Sequence, residues 1–133
     1  MNRVFVDTSA ILALLVSGDK NHHIAVEKFN RLRAETKILV CNSYILVETY
    51  AIIGRRIGLD AVTEFRDKFA PLLSTTWVDE ELHEAGLDRL SAEKKRQLSL
   101  VDAVSFVQMM RQNIQFAFSF DAHFSEQEFL QIW

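Results

Sequence analysis

Four acidic residues lie inside hydrophobic segments, where a globular domain normally places apolar or neutral side chains. They are Asp7 in VFVDTSA, Glu48 in YILVETYAII, Asp102 in LSLVDAVSFVQMM and Asp121 in FAFSFDAHF. An ionised carboxylate that is buried without a partner is costly, so buried charges are usually paired or bound to metal. None of the four segments contains a Lys or Arg. We therefore expect the fold to gather these carboxylates around a cation.

The type of cation follows from the chemistry of the ligands. Two carboxylates about 5 Å apart repel each other by roughly 3 kcal/mol at an effective dielectric constant of 20. Four such groups must therefore protonate in part or bind a metal. A cluster of oxygen ligands suits a hard cation such as Mg²⁺ or Mn²⁺. Such a site is typical of phosphate chemistry, in which a metal-bound hydroxide attacks a phosphodiester and the cation stabilises the leaving oxygen.

Each acidic residue also has a structural interpretation that the sequence alone leaves open. Asp102 stands at the S-x-x-D spacing of a capping box, and it could simply satisfy a helix N-terminus. Asp7 and Asp121 could each cap the helix that follows them. Glu48 is harder to explain in this way, although Arg55 lies on the same face of its helix and could pair with it. The occurrence of all four together favours a shared site.

The hydrophobic pattern predicts short strands that alternate with helices. This alternation indicates an α/β fold in which a parallel sheet is covered on both faces. The predicted strands are residues 3–6, 38–41, 75–78, 116–120 and 129–133. The predicted helices are residues 8–16, 21–36, 42 or 43 to about 56, 60–70, 79–90 and 99–112, with a short helical turn after residue 121.

This arrangement allows the four distant acidic residues to meet. Sites in open parallel sheets form beyond the carboxyl ends of the strands, and Asp7 and Asp121 each directly follow a predicted strand. The predicted helices that carry Glu48 and Asp102 begin at the same edge. Glu48 is about six residues into its helix, roughly 9 Å from the start at 1.5 Å per residue. We therefore expect all four carboxylates to converge at this edge.

Length and composition place limits on the class of protein. The chain has 133 residues and 49% hydrophobic content, so we expect a single domain over residues 1–133. Its formal charge of -3 and pI near 5.8 argue against a protein that coats nucleic acid, but not against an enzyme that cleaves it. We expect no signal peptide, no membrane span and no disulfide, since Cys41 is the only cysteine. A cytoplasmic location is the resulting expectation.

The segments VDTSAILALL, NSYILVETY, LSLVDAVSFVQMM and AFSFDAHFSEQEF resemble PIN domains, specifically the small VapC-type toxin ribonucleases, in their order and spacing. The resemblance implies a three-layer α/β/α sandwich with a central, mostly parallel sheet. It also implies Mg²⁺- or Mn²⁺-dependent endonucleolytic cleavage of single-stranded RNA. By motif, Asp7 and Asp102 correspond to the principal metal ligands and Asp121 to a further ligand, direct or through water. Glu48 corresponds to the residue that positions a metal-bound water.

The same resemblance extends to supporting residues and to partners. Ser9 matches a hydroxyl position that orients the site, and Ser119 occupies a similar supporting position near Asp121. Members of the family usually pair with a small antitoxin protein that blocks the site, and they commonly form homodimers. We therefore expect an antitoxin and a homodimer as partners, in addition to the RNA substrate.

Other functions remain open at this point. Within the nucleases, the alternative is a housekeeping RNA-processing enzyme. A receiver-like phosphoacceptor also clusters acidic residues at strand ends, but it needs a lysine after a late strand, and none is near Asp121. A non-catalytic binding module is a third possibility, which the presence of all four acidic residues disfavours. His123 is a candidate for contact with a substrate phosphate, although a structural role is the favoured interpretation.

Overall fold

The computed structural model of the protein describes residues 2–132. Its strands form one sheet in which every neighbouring pair is parallel. The strands are β1 (Arg3–Val6), β2 (Ile38–Asn42), β3 (Leu73–Thr76), β4 (Phe116–Phe118) and β5 (Leu130–Ile132). Their order across the sheet is β3-β2-β1-β4-β5. The predicted α/β class with a parallel sheet is confirmed.

Helices connect the strands and cover the sheet. They are α1 (Thr8–Leu15), α2 (His22–Ala34), α3 (Ser43–Arg56), α4 (Leu59–Glu64), α5 (Glu80–Glu93), α6 (Leu100–Arg111) and α7 (His123–Glu126). Helix α1 packs against α2 and α3, α3 packs against α4, and α5 packs against α6. The connections from β1 to β3 run in one direction across the sheet, and the α5–α6 connection returns across it to β4. Because such crossovers are right-handed, these two groups of helices lie on opposite faces.

The central strands are apolar because both of their faces are covered. Val4, Phe5 and Val6 in β1 are almost fully buried, as are Leu39 and Val40 in β2. Continuous hydrophobic runs of this kind are typical of parallel strands between helical layers. Among the described residues, the buried charged side chains are Asp7, directly after β1, and Asp102, in the first turn of α6.

Two predicted elements differ from the structure between α4 and β3. The predicted helix over residues 60–70 ends as an α-helix at Glu64 and continues as a π-helical turn over Phe65–Phe69. A 3₁₀ turn over Ala70–Leu72 then contains Pro71 near its start, where the missing N–H of proline is tolerated. Strand β3 begins directly after this turn, so it lies two residues earlier than predicted.

The two last strands are also shorter than predicted. Strand β4 ends at Phe118, because the next backbone groups bond to side chains: the Phe120 N–H donates to Ser9 Oγ and the Asp121 N–H to Ser119 Oγ. Asp121 therefore lies on a loop, not directly after the strand as we predicted. Strand β5 covers Leu130–Ile132, and residue 133 of the predicted strand lies outside the described residues. Within residues 2–132, the helices are too short or too polar to cross a bilayer.

Candidate active site

The acidic residues meet beside the two central strands β1 and β4. These strands are adjacent and parallel. After β1 the chain continues to β2, toward one edge of the sheet, and after β4 it continues to β5, toward the other edge. Such a switch in direction opens a crevice at the carboxyl ends of the strands, which is where ligands bind in open α/β sheets. Asp7 directly follows β1, and its N–H donates to the carbonyl of Phe118 at the end of β4 (3.1 Å).

Asp7 is the most buried of the four acidic residues, with 4% of its surface exposed. It is the N-cap of α1, since its carboxylate accepts a hydrogen bond from the Ser9 N–H (3.3 Å). The same oxygen, Oδ2, accepts from the hydroxyls of Ser9 (2.7 Å) and Ser119 (3.1 Å). The alternative interpretation of Asp7 as a cap is thus correct, but capping uses only part of its hydrogen-bonding capacity.

Ser9 and Ser119 connect Asp7 to the loop after β4. Each hydroxyl donates its only proton to Asp7 Oδ2 and accepts a backbone N–H, from Phe120 (2.9 Å) and from Asp121 (3.0 Å) respectively. A hydroxyl has one proton and two acceptor lone pairs, so this arrangement fixes the direction of both hydroxyls. The two serines therefore hold the carboxylate of Asp7 and the loop that carries Asp121 in one geometry.

Asp102 lies in the first turn of α6 and is 9% exposed. It forms a reciprocal capping box with Ser99: the Asp102 N–H donates to Ser99 Oγ (3.1 Å), and the Ser99 N–H donates to Asp102 Oδ2 (3.3 Å). The capping interpretation is correct here as well. The box fixes the side-chain rotamer, so the carboxylate is held in place at the end of the helix.

Asp121 and His123 complete the cluster. Asp121 Oδ1 accepts a hydrogen bond from the backbone N–H of His123 (2.9 Å). His123 Nδ1 lies 3.1 Å from Asp121 Oδ1 and 3.6 Å from Asp102 Oδ2. Asp102, Asp121 and His123 each present one ligand atom, and these three atoms lie within 4.8 Å of one another. Asp7 is close enough to Asp102 and Asp121 for their charges to act on its carboxylate. Three of the four acidic residues that we predicted for the site therefore lie near one another.

The electrostatics of the site disfavour negative charge. Burial raises the pKa of Asp7 to about 6; the Ser9 hydroxyl opposes this rise, and the nearby charges of Asp102 and Asp121 add to it. Burial also raises the pKa of Asp102. The capping bond to Ser99 lowers it and the charge of Asp121 raises it. Asp7 and Asp102 are therefore ionised at neutral pH only at a cost in folding free energy, which a bound cation would remove.

Within residues 2–132, Glu48 makes no hydrogen bond or ion pair with this cluster. It is the sixth residue of α3, and its side chain is half-buried. Among residues 2–132, Glu48 forms no hydrogen bond and no ion pair, so the predicted alternative of pairing with Arg55 is not observed. Helix α3 begins at the same edge of the sheet as the cluster, because its N-cap Asn42 is the last residue of β2. The structure thus places Glu48 on the expected helix without a direct bond to the other acidic residues.

A buried amide network at this edge was not predicted from the sequence. The Asn42 side-chain amide is fully buried and donates to Ser105 Oγ (3.1 Å) and Gln108 Oε1 (2.9 Å). Gln108 in turn donates to the Cys41 carbonyl (3.1 Å) and Thr76 Oγ1 (3.1 Å). The network joins the ends of β2 and β3 to helix α6. It therefore sets the position of the helix that carries Asp102.

A signal for this network was present in the sequence. Gln108 interrupts the hydrophobic segment LSLVDAVSFVQMM, as Asp102 does. A buried polar side chain in such a segment requires a hydrogen-bonding partner. The same argument that identified the acidic residues therefore applies to neutral amides, and it would have identified Gln108.

The chain belongs to the PIN domain family, whose model matches residues 4–130. It is similar to the 23S rRNA-specific endonuclease VapC20 of Mycobacterium tuberculosis, in strains CDC 1551 / Oshkosh and ATCC 25618 / H37Rv, at 32% identity over 131 residues, or 97% of each chain. The crystal structure of M. tuberculosis VapC20, a sarcin-ricin loop cleaving toxin, matches with a TM-score of 0.83 and 31% identity, covering 96% of both chains. The predicted family and fold are confirmed.

Proposed function

We propose that this protein is a divalent-metal-dependent endoribonuclease that hydrolyses phosphodiester bonds of single-stranded RNA, and that it acts as the toxin of a toxin-antitoxin pair. The observation that carries the proposal is the convergence of Asp7, Asp102 and Asp121 near the carboxyl ends of β1 and β4. Membership of the PIN family and the likeness to VapC20 over nearly the whole chain support the same activity. They favour it over a receiver-like phosphoacceptor.

The residues of the site fit a divalent cation. Its donors are carboxylate oxygens, the ligands that Mg²⁺ and Mn²⁺ prefer. Burial raises the pKa of Asp7 to about 6, so compensation by a positive charge is favourable there. We assign Asp7, Asp102 and Asp121 as the residues that hold the metal. When bound, the metal would stabilise negative charge that develops on the phosphate during hydrolysis.

The protein groups around the metal position the reactants. Ser9 and Ser119 orient Asp7, and the capping box orients Asp102. Glu48 is half-buried and forms no hydrogen bond with another residue in 2–132, so its carboxylate is available to accept a hydrogen bond from the attacking water. In this role Glu48 would position the water and accept its proton.

The likeness to VapC20 also suggests the substrate and partners. VapC20 is named as specific for 23S rRNA and as a sarcin-ricin loop cleaving toxin. On this basis we propose ribosomal RNA as the first substrate to test. We further propose a small antitoxin protein as the natural inhibitor, a homodimer as the active assembly and the cytoplasm as the compartment. In this proposal residues 1–133 form one nuclease domain.

The test is an RNA-cleavage assay with the purified protein. End-labelled RNAs, one containing a sarcin-ricin loop and one unstructured, are incubated with Mn²⁺, with Mg²⁺ or with EDTA. We expect cleavage that requires the metal and that Asp7→Asn and Asp102→Asn each abolish. Asp88→Asn is the matched control, because it removes an exposed carboxylate on α5 that forms no hydrogen bond or ion pair within residues 2–132. Cleavage that persists in EDTA, or in either site variant, would refute the mechanism.

A further inference from the structure

The imidazole of His123 lies at the site with its Nδ1 atom buried and, among residues 2–132, without a hydrogen-bond partner. About a fifth of the side chain is exposed, and Nδ1 lies between the carboxylates of Asp121 and Asp102 at 3.1 and 3.6 Å. The contact with Asp121 is short but is not aligned as a hydrogen bond. Buried polar atoms in proteins are nearly always satisfied. An unsatisfied ring nitrogen between two carboxylates is therefore suited to bind a cation together with them.

The position of this imidazole is set by the core of the protein. The next residue, Phe124, is fully buried, and its ring packs against the rings of Phe106 (centroids 5.1 Å apart) and Phe5 (6.0 Å). The backbone N–H of His123 also donates to Asp121 Oδ1. A side chain whose backbone is held on both sides in this way is suited to precise placement of a ligand atom.

We propose that His123 is a nitrogen ligand of the catalytic metal, through Nδ1, in addition to Asp7, Asp102 and Asp121. This proposal rests on the proposed metal-dependent function and makes it more specific. A site with an imidazole nitrogen selects first-row transition ions, whereas Mg²⁺ takes oxygen ligands almost exclusively. The protein would therefore bind Mn²⁺ more tightly than Mg²⁺, and the ratio of the two affinities would exceed that of a site made of carboxylates alone.

The direct test is electron spin-echo spectroscopy of the Mn²⁺-loaded protein. We expect a ¹⁴N modulation from a coordinated imidazole, which changes to a ¹⁵N pattern when the protein contains ¹⁵N-labelled histidine. This measurement uses the wild-type protein and does not depend on the folding of a variant. Absence of histidine nitrogen coupling in the wild-type protein would overturn the proposal.

The second measurement compares affinities for the two metals. His123→Ala should weaken Mn²⁺ binding by at least the roughly 10–100-fold that loss of an outer-sphere partner costs, with a clearly smaller effect on Mg²⁺. His23→Ala is the matched control, because it removes an exposed imidazole at the start of α2. Equal losses for both metals, or no loss, would contradict the assignment of a nitrogen ligand.

Asp102→Asn separates the failure of this proposal from the failure of the proposed function. If Asp102→Asn abolishes Mn²⁺ binding while His123→Ala does not change it, the metal site is correct and the role of His123 is wrong. If Asp102→Asn leaves Mn²⁺ binding intact, the proposed metal site itself is wrong. In that case the nitrogen-ligand proposal is wrong too.

Discussion

Replacement of Asp7 by Asn is expected to stabilise the metal-free protein. In the folded protein the pKa of Asp7 rises from its ordinary value of 3.8 to about 6, chiefly because the group is buried. This difference lowers the free energy of unfolding by about 3 kcal/mol at a pH where Asp7 is ionised in both the folded and the unfolded protein. Asn is neutral and is as good an N-cap as Asp. Its amide oxygen can also accept the serine hydroxyls that now donate to Asp7 Oδ2.

The sign of the pH dependence follows from the direction of this shift. Since the folded-state pKa lies above the unfolded value, the folded state binds more protons between about pH 4 and 6, and stability falls as the pH rises through this window. The loss from Asp7 alone is about 1.6 kcal/mol at pH 5 and about 3 kcal/mol at pH 7.5. The raised pKa of Asp102 acts in the same direction. Asp7→Asn should remove the first contribution and leave the second.

The gain at pH 7.5 is expected to be smaller than 3 kcal/mol, because hydrogen bonds to a neutral acceptor are weaker than those to a carboxylate. Each kcal/mol corresponds to roughly 3–5 °C in melting temperature for a domain of this size. The assay is thermal and urea unfolding in EDTA at pH 5 and pH 7.5, with Asp88→Asn as the control. If Asp7→Asn has the lower melting temperature at pH 7.5, Asp7 contributes as a charged structural cap and the electrostatic reasoning is wrong.

Two further substitutions test how α6 is positioned. Gly86→Ala in α5 would place a Cβ 2.4 Å from Val104 Cγ2 and 3.2 Å from the Val104 Cα. We therefore expect the free energy of unfolding to fall by about 1–3 kcal/mol and Mn²⁺ binding to weaken. Urea unfolding and metal titration measure the two effects. Gly54→Ala in α3 is the control, because its Cβ would lie at an ordinary 3.5 Å from the nearest side-chain atom. This substitution should be neutral or stabilising. Equal losses of stability in the two variants would contradict the close-packing argument. Gln108→Leu should lower the free energy of unfolding by about 1–3 kcal/mol, because it leaves buried hydrogen-bond partners unsatisfied. We also expect a loss of cleavage activity larger than the unfolded fraction of the variant explains. Unchanged activity would show that the network is only structural.

Much of the fold could be predicted from the sequence, because strands buried on both faces produce hydrophobic runs that differ clearly from the amphipathic helices. The bounds of β1 were predicted correctly, and Asn42 was identified as one of two candidate caps for α3. The error at β3 arose because the local pattern around Thr75 does not show where a π-helical and a 3₁₀ turn end. Those turns depend on packing against distant residues, which a local pattern does not contain.

The candidate site was predictable to a similar degree. The chain direction of a parallel sheet places strand ends and the starts of the following helices at one edge, so convergence of all four carboxylates was predicted. The structure brings Asp7, Asp102 and Asp121 together, whereas Glu48 makes no bond to them. The proposed role of His123 did not follow from the sequence, because an isolated histidine has no distinctive sequence pattern. Its proximity to Asp102 depends on how α7 packs against α6, and that contact is visible only in three dimensions.

The structural and the catalytic interpretations of the acidic residues are compatible, although the sequence presents them as alternatives. Asp7 caps α1 and Asp102 belongs to the capping box of α6, so each carboxylate uses part of its acceptor capacity to fix its own orientation. A metal ligand must be held within a fraction of an ångström of its working position, and a cap provides this through bonds to the backbone. The helix N-termini also carry partial positive charge, which lowers the electrostatic cost of gathering carboxylates there. Capping at the switch point between β1 and β4 is therefore a means by which this fold builds an acidic site from helix ends.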